Sequence, residues 1–371
     1  MKNKYVSSFL RKIFFLCIAI APLSAQHITT VRKPTGVEDW YILKQAQNAY
    51  EMNDYGQALK FAESAKQKRR QMAEWEVYVL DQTQKNSRVR KSGDYLDDVM
   101  PELKTANLSE ALGIIEAKLS AYGKNHFHNK FSEICKWIEN DDIYPEADFL
   151  IGKIYKLEGE LELASKYLNN AYENLIRLDV PDVKYDILYE LASLADLQDD
   201  GEAYEKQLLA VLKDDKLYTN SGFRSALVRL INANQKDSVD KFFILYRSTN
   251  DISIKALELL NEYYTKIGQN EKALDCAALG SIASVTKIEE VLKDRLIDYS
   301  YTDFADLLTK AAMYDDIVTW GNENGIWKLF YNFASTSAVC GKDVFARTLL
   351  RILSEHEPEA YWRQRAVSKL Q

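Results

Sequence analysis

Residues 147–172 read ADFLIGKIYKLEGELELASKYLNNAY. Apolar and small residues recur at three- and four-residue intervals on both sides of Gly159, the pattern of two short helices that meet at a turn. Gly152, Ala164 and Ala171 are small enough to let the two helices approach. Ile151, Tyr155 and Leu168 are large enough to fill the space between them. The stretch therefore reads as a helical hairpin, and a lone hairpin cannot bury its own apolar face.

The same spacing returns elsewhere. It appears near the N-terminus at Ala46, Tyr55, Ala58, Ala62 and Ala65, and again at Leu188, Leu191, Ala192, Ala195 and Leu208. A further set is Leu257, Leu260, Tyr264, Gly268, Ala273, Ala277 and Gly280, and a last one Phe330, Phe333, Ala334, Gly341, Ala346, Leu350 and Leu353. These five segments resemble the tetratricopeptide repeat (TPR), a helix-turn-helix unit whose signature consists of packing residues. Three positions depart from it: Asp148 where a bulky apolar residue is usual, and Tyr204 and Asn261 where small ones are. A looser or shifted packing is expected at Tyr204. Segments 94–140, 222–247 and 286–324 keep the apolar period but lose the signature, and read as degenerate repeats. The resemblance implies an all-α protein over residues 39–371, an α-solenoid of roughly nine stacked antiparallel helix hairpins.

Composition agrees with a folded helical chain. Of 371 residues, 47% are hydrophobic types, and only 14 Gly and 6 Pro are present, too few to punctuate an all-β chain. Residues 1–25 stand apart: Lys2, Lys4, Arg11 and Lys12 precede the apolar run Ile13 to Ala21, and Leu23-Ser24-Ala25 follows. That order is expected of a secretory signal peptide cleaved after Ala25, and its apolar run is shorter than a bilayer span. Residues 26–38 are expected to be a short leader. Losing the four basic residues takes the formal net charge from -7 to -7 - 4 = -11, which disfavours nucleic acid as a partner. No stable membrane span is expected after cleavage. The remaining Cys135, Cys276 and Cys340 are odd in number and scattered, so they suggest buried thiols and no disulfide framework.

Catalytic signatures are sparse. No glycine cluster can cradle a phosphate, and neither a paired-histidine zinc motif nor a nucleophile elbow occurs. Ser284 and Lys287 have S-x-x-K spacing without its partner motifs, and His126 and His128 lack a matching ligand set. The basic run Lys66, Lys68, Arg69 and Arg70 is interrupted downstream by Glu74 and Glu76 and reads as a solvated helix face. No cofactor and no metal are expected. In TPR proteins the residues of each first helix that have no packing duty face the inner groove, where ligands bind. Carried onto the second segment, these positions are Glu146, Phe149, Lys153, Lys156 and Leu157. In the next segment they are Asp186, Tyr189, Ser193, Asp196 and Leu197. The resemblance thus implies a non-enzymatic scaffold or adaptor of the bacterial envelope that holds a protein or peptide segment. Its rivals are an exported cell-wall or peptide hydrolase with a helical superhelix domain, and a self-associating structural protein.

Overall fold

A computed structural model describes residues 31–86, 113, 115, 117, 119, 143–219, 221–233, 237–245, 248 and 251–371. The signal-peptide expectation for residues 1–25, the segment 94–140 apart from residues 113, 115, 117 and 119, and His126, His128 and Cys135 lie outside the described residues. Among the described residues every regular element is helical, and none is a strand.

Five helix pairs form a series. They are α1 (Asp39–Glu51) with α2 (Tyr55–Asn86), α3 (Pro145–Glu158) with α4 (Leu161–Glu173), and α5 (Val183–Leu197) with α6 (Gly201–Leu212). Short helices α7 (Lys216–Thr219), α8 (Ser221–Ile231) and α9 (Ser238–Leu245) intervene before α10 (Ser253–Lys266) pairs with α11 (Asn270–Arg295). After α12 (Phe304–Ala311) and α13 (Asp315–Glu323), α14 (Ile326–Val339) pairs with α15 (Asp343–His356), and α16 (Ala360–Leu370) closes the chain.

All five pairs turn alike. Each first helix ends at a residue in the left-handed region: Asn53 (φ 60°), Gly159 (φ 80°), Asp199 (φ 56°), Gly268 (φ 75°) and Gly341 (φ 72°). The next amide closes the turn onto a carbonyl of the last helical turn, as Asp54 on Ala49, Glu160 on Tyr155, Asp200 on Ala195, Gln269 on Tyr264 and Lys342 on Ser337, at 2.8–2.9 Å. This is the Schellman closure, which satisfies carbonyls that a helix end would otherwise leave bare. In α3, Pro145 occupies the first turn, where its missing N–H costs nothing, and Glu146 and Asp148 lie at the positive end of the helix dipole.

Packing within each pair follows the small residues. Ala58, Ala164, Ala273 and Ala346 are at most 1% exposed. A Cβ added at Gly152 would come within 2.7 Å of Leu168 Cγ, so the contact between α3 and α4 requires glycine there. Tyr155 and Tyr167 stack with ring centres 5.6 Å apart beside it. Tyr204, at the equivalent of the alanines, turns its ring toward Tyr263 of α10, 5.4 Å between centres. The bulk expected to loosen one hairpin thus fills the seam with the next.

Between pairs, the second helix of one lies on the first helix of the following one: α2 on α3, α4 on α5, α6 on α10 and α11 on α14. First helices also meet each other, α1 with α3, α3 with α5 and α10 with α14. Segments 222–247 and 286–324 therefore do not read as further members of this series. Residues up to Arg295 continue α11, while α9 and α12 pack against each other and against α15 beside the series. The aromatic centre of that lateral packing is Phe242, Phe243, Phe304, Phe330, Phe333 and Phe345, with Phe243 stacked on Phe304 at 4.5 Å. Burying rings of this size dominates local stability, at about 1.5–3 kcal/mol each.

Polar residues stitch the seams. Asp148, fully buried, accepts from Lys66 Nζ at 2.6 Å and also from Asn170, tying α2 to α3 and α4. Asn261 donates to the Ala273 carbonyl (2.9 Å) and accepts from Asn332 (3.0 Å), linking α10, α11 and α14. Both departures from the small or apolar rule are thus satisfied buried groups, as burial demands. Of the basic run on α2, Arg70 is exposed as expected of a solvated face, whereas Lys68 and Arg69 are turned inward. Lys68 donates to the Thr35 carbonyl (3.0 Å), and the Arg69 guanidinium pairs with Asp39 (2.7 Å) and Asp179 while lying 3.4 Å over the Tyr144 ring.

Candidate functional site

First helices touch one another within two runs, α1, α3 and α5, and α10 and α14, and the sequence-predicted site residues distribute unevenly on them. Glu146 is not on an open face. It is 6% exposed, and its Oε1 accepts the amides of Asp179 (2.5 Å) and Val180 (3.1 Å), so it fastens the connection between α4 and α5. Burial, then the Asp179 charge, push its carboxyl above the usual range, and the backbone amides of Glu146 itself and Val180 oppose them.

Phe149 is half-buried against the Leu168 and Leu191 cluster. Lys153 lies over it and over Tyr50, 5.3 and 4.6 Å from the ring centres. Lys156 pairs with Glu190 and donates to Ser193 Oγ at 2.9 Å, so Lys156 and Ser193 are brought together across α3 and α5. Leu157, Asp186, Asp196 and Leu197 are exposed. Tyr189 has a packing duty the sequence did not reveal: its hydroxyl donates to the Ile252 carbonyl (2.8 Å) and accepts the Ala256 amide (3.1 Å), capping the start of α10. Burial holds that phenol well above its ordinary pKa.

Asp186 and Tyr189 border an open cleft of about 500 Å³ between the start of α5, residues 251–255 and α13. Its lining includes Asp182, Tyr185, Lys255, Trp320 and Asn324, none of which sequence reasoning selected. Trp320 reaches the cleft because α13 lies tight on α14: Trp327 Nε1 donates to the Val318 carbonyl (3.2 Å), and a Cβ at Gly321 would meet the Trp327 ring at 2.3 Å. Asn324 is held by its amide on the Trp320 carbonyl, 2.8 Å. The Tyr185 hydroxyl donates to Asp214 (3.0 Å), which also takes Lys184 at 2.6 Å and is thereby held below the usual carboxylate range. Partial desolvation at the edge of the cleft pushes the Asp186 carboxyl up although its side chain keeps contact with solvent, and Lys153 and Lys255 pull it down.

Further along the same side, Glu258 and Glu262 share Lys328 of the next first helix, Glu258 at 3.2 Å. Burial, reinforced by Glu262 and opposed by Lys328, raises the Glu258 carboxyl to about 7. Among the described residues no three His, Cys, Asp or Glu side chains converge as a metal set, and no helix is long and apolar enough to cross a membrane. Cys276 is buried and Cys340 half-buried, and neither is in a disulfide.

These features define an all-helical protein of serially packed helix pairs, with an aromatic and acidic cleft on the side of its first helices. No family model matches the chain, and no solved structure matches it. The chain is 30% identical over 339 residues to an uncharacterized protein of Treponema pallidum, covering 90% of each, and it belongs to that protein's family. An uncharacterized protein of Borreliella burgdorferi is 19% identical over 237 residues, 59% of this chain and 73% of the relative.

Proposed function

We propose that this protein is a TPR-like α-solenoid, exported across the inner membrane, that works as a scaffold or adaptor by holding a segment of a partner protein along the side formed by its first helices. The observation that carries this reading is the open cleft of about 500 Å³ on that side, where Tyr189 and Trp320 stand beside Asp182 and Asp186. Aromatic anchors set among charges are what transient recognition of a protein segment uses. Five turns closed in the same way support the TPR-like reading, since they give each pair a similar helix-turn-helix geometry. Export rests on the order of charges and apolar residues in 1–25, and N-terminal sequencing of the mature chain starting at Gln26 tests it.

A photo-crosslinking amino acid at Asp196 or Leu157, on the first helices, tests the binding surface in intact cells. A discrete adduct is expected from these positions and none from Lys206 on the second helix α6. Equal adducts from both, or none from the first-helix positions, overturn the reading.

A further inference from the structure

The composition of the cleft selects an occupant, an inference that rests on the scaffold reading and sharpens it. Three carboxylates, Asp182, Asp186 and Asp251, line it against one ammonium, Lys255. Asp251 is already matched by Lys287 at 2.8 Å. Among the described residues Asp182 and Asp186 form no ion pair, and Lys153 and Lys255 act on Asp186 only through space. The cleft is short of positive charge.

Its walls also suit a cation. The hydroxyls of Tyr185 and Tyr189 are turned to Asp214 and to the Ile252 carbonyl, which leaves their rings as the surfaces offered. Each ring already draws a lysine of its own chain, Lys184 at 4.7 Å from the Tyr185 centre and Lys255 at 5.1 Å from that of Tyr189. Ring faces attract ammonium and guanidinium groups, most strongly at tryptophan, and Trp320 completes the wall. A space of about 500 Å³ fits one or two side chains with their backbone and is far too small for a whole domain.

The geometry points to a basic segment of a partner protein, with an Arg or Lys side chain lying against Trp320 and Tyr189 and its charge beside Asp182 and Asp186. The flexible Lys255 gives way to it, and a planar guanidinium profits most, since it stacks and bonds at once.

Panning a displayed library of short random peptides on the purified full chain tests this. Peptides with Arg or Lys next to an aromatic residue are expected to enrich on the wild type. Their retention should fall about tenfold for each charged contact removed in Asp182→Asn/Asp186→Asn, two exposed changes that leave the helical spectrum intact. Trp320→Phe should weaken retention less than Trp320→Ala. Enrichment of acidic or uncharged peptides, or basic peptides held equally by wild type and the aspartate variant, overturns the inference and leaves the scaffold reading standing. No enrichment of any kind overturns both.

Discussion

Replacing Gly152 by alanine sets two effects of opposite sign against each other. In a helix interior, glycine to alanine gains about 1 kcal/mol from backbone entropy. Here the new Cβ would sit 2.7 and 2.8 Å from Leu168 Cγ and Cδ2, and 3.1 Å from the Leu168 backbone nitrogen. Leu168 is wholly buried, so its side chain has nowhere free to swing. The nearby backbone atom means that α4 as a whole must move outward. Overpacking of this kind costs about 1–3 kcal/mol, so Gly152→Ala should destabilise by about 1 kcal/mol net. Gly56 on α2 provides the control: a Cβ there meets nothing within 4 Å, and Gly56→Ala should stabilise slightly. Leu168→Ala alone should cost about 2–5 kcal/mol. Adding Gly152→Ala to it should cost less than Gly152→Ala does alone, because the Cγ and Cδ2 clashes are gone and only the tight 3.1 Å approach to the backbone nitrogen of residue 168 remains, which is a coupling of about 1 kcal/mol. Urea unfolding followed by far-ultraviolet circular dichroism measures all four. If Gly152→Ala stabilises as Gly56→Ala does, or costs the same with and without the Leu168 side chain, the account of how α3 meets α4 is wrong.

Arg69→Ala should lower stability by about 3 kcal/mol, since it leaves Asp39 facing no partner at a mostly buried site, and Arg69→Lys should recover only part, because an ammonium cannot both pair and stack flat on Tyr144; urea midpoints of the three proteins compare them. Glu357 is wholly buried with neither carboxylate oxygen bonded among the described residues, and burial raises its pKa well above the ordinary value. A raised carboxyl stabilises the fold only while it is protonated, so this contribution is full in acid and is lost as pH rises through the folded-state pKa. Glu357→Gln should therefore stabilise the protein at neutral pH, by about 1–3 kcal/mol, with little effect in acid, as thermal melts across pH will show. Glu258 titrates by the same sign between its ordinary 4.5 and about 7, so stability should fall across that interval and Glu258→Gln should flatten the profile there. Tyr189→Phe, which removes two hydrogen bonds at the start of α10, should cost about 1–2 kcal/mol in the same urea assay.

The parts of this fold legible in the sequence are those fixed by neighbours along the chain. Gly152, Gly159, Ala164 and Leu168 lie within one hairpin, so their spacing alone discloses which faces meet. Glu146 misled for the converse reason: the amides it accepts belong to Asp179 and Val180, far along the chain and silent in any helical period. Arg69 is alike, since the carboxylates that turn it inward come from α1 and from the connection before α5. The cleft was half visible. Asp186 and Tyr189 fall on the open side of a regular helix, whereas Trp320 arrives on α13, a short helix in a segment whose packing beside the series no periodicity discloses.

The seams between helix pairs bear on how the chain can fold. Only α4 and α5 are joined by a short connection, residues 174–182; the seams α2 with α3, α6 with α10 and α11 with α14 close over residues 87–144, 213–252 and 296–325. A simple array grows by adding each unit to the last, with little chain entropy lost per step. Three closures here must each gather a long intervening stretch first. Within residues 145–212 the two hairpins can meet at the smallest loop-closure cost, and each of the other seams closes at a larger one.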